Sequence, residues 1–155
     1  MKIFLVMPLC LLLCFSLSIQ AADESLESLA QQYFSKMVAT QAPTATKKEL
    51  EAFLALLSDD VGNQHIPYQP DDTREPDGKK MMRKGMTYYL GSHTEYEATL
   101  LDTFIFNNTA IAVRYRHHAK GIHPQNQQQI EYTSTIMDLL EIEKGKIVMI
   151  RKYHE

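Results

Sequence analysis

A carboxylate stands among apolar residues close to the end of the chain. Over residues 129–142, Ile130, Tyr132, Ile136, Leu140 and Ile142 share the parity of Asp138, and the two-residue period of a strand puts them all on one face. An aspartate on such a face is costly unless it is paired, hydrogen-bonded or protonated. Two roles are therefore open to it. An Asp satisfied by backbone or by an arginine, or moved off the face by a bulge, serves the fold; an Asp kept neutral by its surroundings donates a hydrogen bond into a pocket. His117 shares parity with Ile111, Val113 and Tyr115 on the preceding strand and points to the same side, either as a pocket residue or as a histidine satisfied in the core or at its rim. Asp102 is inward too if Asn107-Asn108 is a two-residue turn, because Phe104 then faces Ile111, Asp102 faces Val113 and Leu100 faces Tyr115. A single bulge would turn it outward.

Other chemistries find little support. The adjacent pair His117-His118 points to opposite faces of its strand, and no two histidines sit four apart on a helix, so no metal site is expected. Gly-x-Gly-x-x-Gly, phosphate-loop and Gly-x-Ser-x-Gly patterns do not occur, so neither a nucleotide cofactor nor a serine nucleophile is expected. No cofactor is expected at all.

The elements that must position these residues come in two blocks. Leu26, Leu29, Ala30, Tyr33, Phe34 and Met37 fall at helical spacing over residues 25–38, which places Tyr33 on an inward stripe. Thr46-Lys47-Lys48-Glu49 has the form of a capping box opening a second helix that carries Leu50, Phe53, Leu54 and Leu57 and stops near Ser58. A short strand near Val61 and a loop rich in Pro and Asp over residues 68–78 follow. A third helix then groups Met81, Met82, Gly85, Met86 and Tyr89 on one side and Lys79, Lys80, Arg83 and Lys84 largely on the other. Beyond Gly91 the pattern alternates, giving strands over residues 96–106, 110–120, 129–142 and 146–153. Helices grouped ahead of a meandering sheet make an α+β domain with the helices on one sheet face. Met86, Tyr89, Asp102 and His117 are the candidate ligand contacts.

At 155 residues, 45% hydrophobic and 23% charged, the composition is that of one globular domain and excludes a disordered or collagen-like chain. Lys2, the apolar run over residues 3–15 and the small-residue end Ala21-Ala22 form a secretory signal peptide with expected cleavage after Ala21. The mature domain is then residues 22–155, and both cysteines, Cys10 and Cys14, leave with the leader. The expected location is periplasmic or secreted, with no membrane span retained. Losing Lys2 takes the net charge from −3 to −4, which argues against nucleic acid as a partner.

Three stretches carry a family resemblance: residues 26–38, Leu57-Ser58-Asp59-Asp60-Val61, and Asp138-Leu139-Leu140-Glu141-Ile142-Glu143-Lys144-Gly145-Lys146-Ile147. Together they resemble the nuclear transport factor 2-like superfamily in its SnoaL-like branch. The resemblance implies a conical fold in which a curved, mainly antiparallel sheet wraps three helices around one deep apolar pocket. It also implies a homodimer through the outer sheet face and a small, mostly apolar ligand. Fold does not fix function here, because the superfamily holds isomerases, cyclases, dehydratases, hydrolases and pure binders. Its ketosteroid isomerases place an Asp similarly to Asp138, where a neutral carboxyl donates to an oxyanion. Tyr33, in Gln31-Gln32-Tyr33, matches their oxyanion-hole tyrosine, and His65, five residues after Asp60, matches their catalytic base. That base is an aspartate in the isomerases and a histidine here, followed by Ile66. A histidine near its reference pKa of about 6.5 still serves as a general base. Tyr33, His65 and Asp138 are thus the catalytic candidates, for cofactor-free proton transfer; the alternative is a binding or assembly module.

Overall fold

The computed structural model describes residues 11–155. The first ten residues of the expected leader lie outside the described residues, and residues 11–21 run without a break into the first helix, α1 (Leu11–Gln41). Among the described residues no helix is long and apolar enough to cross a membrane. Leu26, Ala30, Tyr33 and Met37, at steps of three and four, are buried along one stripe of α1 and meet α2 (Lys47–Leu54). The capping box of α2 is formed: the Glu49 carboxylate accepts the Thr46 N–H at 2.9 Å.

The second helix ends earlier than its spacing predicts. Leu57, expected at its end, is the buried first residue of β1 (Leu57–His65); an apolar residue at that position fits the core from either element. The third helix, α3 (Gly78–Tyr89), follows, then β2 (His93–Phe106), β3 (Ala110–Ile122), β4 (Gln129–Glu143) and β5 (Lys146–His154). The strands make one sheet in the order β1-β5-β4-β3-β2, with β1 parallel to β5 and the other pairs antiparallel.

The β2–β3 hairpin differs from its expected register by one residue at the tip. Asn107 and Asn108 both take positive φ, 48° and 54°, as a tight turn needs. The loop includes Thr109, so Phe106 pairs with Ala110 and Ile105 with Ile111. A bulge between Leu100 and Asp102 then restores the expected pairing of Leu100 with Tyr115. Between bulge and tip every side chain is on the opposite face from the one expected. Ile105 packs on the core, whereas Phe104 and Phe106 are 55% and 53% exposed and Asp102 pairs with Arg114 at 3.4 Å on the outer face.

No side chain of α3 is buried. It is held at its flanks, by Lys79 to Asp59 at 2.8 Å and by a two-pronged bond from Arg83 to Glu51 at 2.6 and 3.0 Å, and at its start by Gly78. A Cβ on Gly78 would lie 2.2 Å from the Val61 carbonyl oxygen, so only glycine lets α3 approach β1 this closely. Gly78→Ala is expected to cost about 1–3 kcal/mol, read as a lowered urea midpoint; an unchanged midpoint would mean that α3 moves off β1 freely.

Candidate functional site

The site is built across three adjacent strands and one helix. Val113, Asp138 and Lys152 are direct cross-strand partners on β3, β4 and β5, so Asp138 and Lys152 start with their Cβ atoms only about 5 Å apart. Two residues along β3, Tyr115 reaches diagonally toward the same point, and Tyr33 comes down from the buried stripe of α1. The Tyr33 hydroxyl donates to Asp138 Oδ2 at 2.8 Å and the Tyr115 hydroxyl donates to the same oxygen at 3.1 Å. Lys152 Nζ lies 3.0 Å from Asp138 Oδ1 and 3.2 Å from Oδ2, and donates to the Tyr115 hydroxyl at 2.8 Å.

Asp138 is 0% exposed while the Lys152 side chain is 23% exposed. The carboxylate lies behind and the lysine in front, facing a cavity. Burial, and after it the Asp138 charge, raises both tyrosines above the ordinary phenol range, so both keep the protons that they donate. Asp138 is therefore an acceptor in an ion pair. The expectation of a neutral aspartate donating into the pocket is corrected here: two hydroxyls and an ammonium already point at its oxygens, and the paired cation is a lysine, not an arginine.

The cavity in front of Lys152, of about 650 Å³, is lined by Tyr33, Phe53, Tyr96, Tyr115, Ile136 and Ile150 among others. His65, His117 and His154 also line it. A second chamber of about 780 Å³ lies under α3 and the loop before it, and shares Gln41, Asn63, His65, Met82, Met86 and Tyr132 with the first. The α3 side chains Met81, Met82, Met86 and Tyr89 border this outer chamber, which explains an amphipathic helix with no buried residue. Among the described residues, Lys152 is the single Lys or Arg lining either space.

His65, at the end of β1, stacks on His154, at the end of β5, with ring centres 4.7 Å apart, and the two Nε2 atoms share a hydrogen bond. Burial first, then His154, then Lys152 hold the pKa of His65 below its ordinary value. Burial and Lys152 do the same to His154. His117 is pushed down to about 4, by burial and then by Lys152. At neutral pH the Lys152 end of the cavity thus holds three neutral imidazoles beside one cation.

Of the catalytic candidates, Tyr33 and Asp138 meet directly, while His65 lines the cavity with Tyr33 without bonding to either. Of the ligand contacts, His117 borders the inner chamber, Met86 both and Tyr89 the outer. Asp102 is outside, turned away by the bulge beside Leu101. Lys152 and His154 escape the sequence reading, although both share the parity of Ile150 on the last strand. Among the described residues no group of three or more His, Cys, Asp or Glu is placed to hold a metal ion.

Residues 34–150 match a family model, the SnoaL-like domain. The chain belongs to the SnoaL-like domain family. No curated protein matches it in sequence. Solved structures share the fold. A candidate polyketide cyclase from Xanthomonas campestris pv. campestris is 16% identical, with a TM-score of 0.64 over 86% of this chain and 93% of that one. An NTF2-like protein from Anabaena variabilis is 19% identical, at 0.60 over 84% and 90%. A candidate ketosteroid isomerase from Kribbella flavida is 17% identical, at 0.60 over 85% and 78%. These likenesses establish the NTF2-like cone of this SnoaL-like domain; its chemistry rests on its own residues.

Proposed function

We propose that this SnoaL-like protein binds a small, mostly apolar carbonyl compound in the inner chamber and moves a proton on it without a cofactor. One observation carries the reading: Lys152 is clamped by Asp138 and Tyr115 at the cavity wall, among histidines that it helps to keep neutral. Its Nζ has three protons, and with two directed at Asp138 and Tyr115 one is left for a carbonyl oxygen. His65 takes a proton from the carbon next to the carbonyl, the enolate oxygen rests on Lys152, and the imidazolium returns the proton to the same or a neighbouring atom. Tyr33 and Tyr115 keep their protons and direct them at Asp138, so these tyrosines position the lysine and do not polarise the ligand themselves.

The same proposal sets the protein outside the cytoplasm, as a cysteine-free chain of 134 residues after cleavage at Ala21. It pairs two copies through the outer sheet face, where Phe104 and Phe106 lie open.

The test is deuterium uptake at the α-carbon of 1-tetralone in D₂O, followed by proton NMR. Uptake faster than buffer alone supports the proposal; saturable binding with no uptake would leave a carrier. Gly85 supplies an internal control. It borders the outer chamber, and nothing lies within 4 Å of a Cβ placed on it. Gly85→Leu is expected to hold or raise stability, because Leu exceeds Gly in helix propensity by about 0.8 kcal/mol, yet to slow uptake about tenfold or more by filling the approach to the site. Uptake unchanged in this variant would place the reaction elsewhere.

A further inference from the structure

His117 is the one side chain among the described residues with two buried polar atoms, Nδ1 and Nε2, that no protein group bonds. It is not a displaced surface residue. Its backbone is fixed between Ala98 on β2 and Ser134 on β4, and its ring is held by those of Tyr96 at 5.4 Å, Tyr132 at 5.5 Å and Tyr115 at 6.0 Å. These rings supply shape and no hydrogen bond, and His117 is also part of the wall of the inner chamber. With its pKa at about 4, the ring is neutral at neutral pH and offers one N–H donor and one bare nitrogen acceptor. Buried polar atoms without partners are costly, and a ligand that supplies a partner recovers that cost on binding.

Tyr115 fixes where the partner must be. Its ring packs against His117 and its hydroxyl receives Lys152, so the histidine and the lysine flank one phenol along the same wall. Resting on the reading of Lys152 as the carbonyl anchor, we propose that His117 is a second polar anchor and that the ligand carries a hydroxyl group as well as a carbonyl. The ligand class is then a hydroxyketone or a close relative, with an apolar frame that stacks on Tyr96, Tyr115 and Tyr132. His117 determines specificity through that hydroxyl, and the proton transfer itself does not pass through it.

The test compares cyclohexanone with 3- and 4-hydroxycyclohexanone, by dissociation constants from NMR titration of the full chain, the His117→Phe variant and the Lys152→Met variant. Phenylalanine keeps the ring among the tyrosines and removes both nitrogens. At least one hydroxyketone is expected to bind the unmutated protein about fivefold more tightly than cyclohexanone. In His117→Phe that preference, read as the ratio of the two dissociation constants, is expected to vanish. In the unmutated protein the ring ¹⁵N signals of His117 should move with the preferred hydroxyketone and stay still with cyclohexanone, a readout that needs no variant to fold. No preference in the unmutated protein, as when a water molecule already satisfies the ring, or a preference that survives in His117→Phe, overturns the proposal. The reading beneath it fails separately: cyclohexanone binding indifferent to Lys152→Met removes the carbonyl anchor, whereas dependence on Lys152 without any hydroxyl preference removes only the role of His117.

Discussion

Asp138→Ala is expected to lower the free energy of unfolding by about 3–5 kcal/mol. The substitution strands three groups at once. Lys152 loses the carboxylate 3.0 Å away, and the hydroxyls of Tyr33 and Tyr115 lose the acceptor to which both donate. Tyr33 and Tyr115 are 1% and 2% exposed, so solvent cannot replace that acceptor, and each unmet donor adds to the cost. Asp138→Asn keeps the shape and one acceptor oxygen and should be the milder change. Asp138→Leu combined with Lys152→Met removes carboxylate and cation together, and buried pairs replaced by apolar side chains are often tolerated. Urea unfolding of the single and double variants checks this. A cost under about 1 kcal/mol for Asp138→Ala, or a double variant as unstable as the single, would mean that the ion pair does not organise the site.

That network also marks how far the sequence alone reaches. The stripe of Leu26, Ala30, Tyr33 and Met37 is a local pattern, and so are the capping box of Thr46 and Glu49 and the positive-φ pair Asn107-Asn108. Each is decided by residues a few positions apart, and each stands in the fold as the pattern predicts. The inward parity of Asp138 belongs to the same class. Its partner does not. Lys152 faces Asp138 because β4 and β5 pair in one particular register, and a register between strands is set by the whole sheet and its turns. Asp102 illustrates the converse: one bulge beside Leu101 reverses the face of the following residues without leaving any mark in the alternation of types. Leu57 is ambiguous for another reason, because its burial is required by the core whichever element carries it.

Lys152→Met should give the largest loss of function, a fall of about 10²–10³ in the rate of α-deuteration, and the pH profile should show why. In the unmutated protein the base is held down by burial, by His154 and by Lys152. Deuteration should therefore stay level as the pH falls past about 6.5, the ordinary histidine value, and decline only in more acidic solution. Removing the cation lifts one of these three constraints, so the acid limb of the residual activity should move upward toward about 6.5. His65→Phe should lose about 10²–10⁴ in rate and leave no histidine limb for Lys152 to shift. The linkage to stability has a definite sign. A histidine whose pKa is lower in the folded chain binds more protons when unfolded, so its contribution is complete above about 6.5 and is lost as the pH falls through the folded value. For His117 that window runs from about 6.5 down to about 4. Acid instability of the fold and loss of activity are thus expected over neighbouring ranges, and the two variants separate them: His117→Phe should flatten the fall in melting temperature without moving the acid limb of the rate, and Lys152→Met should move that limb. A rate limb that stays in place in Lys152→Met would show that Lys152 does not act on the base, and the assignment of His65 as proton acceptor would fall with it.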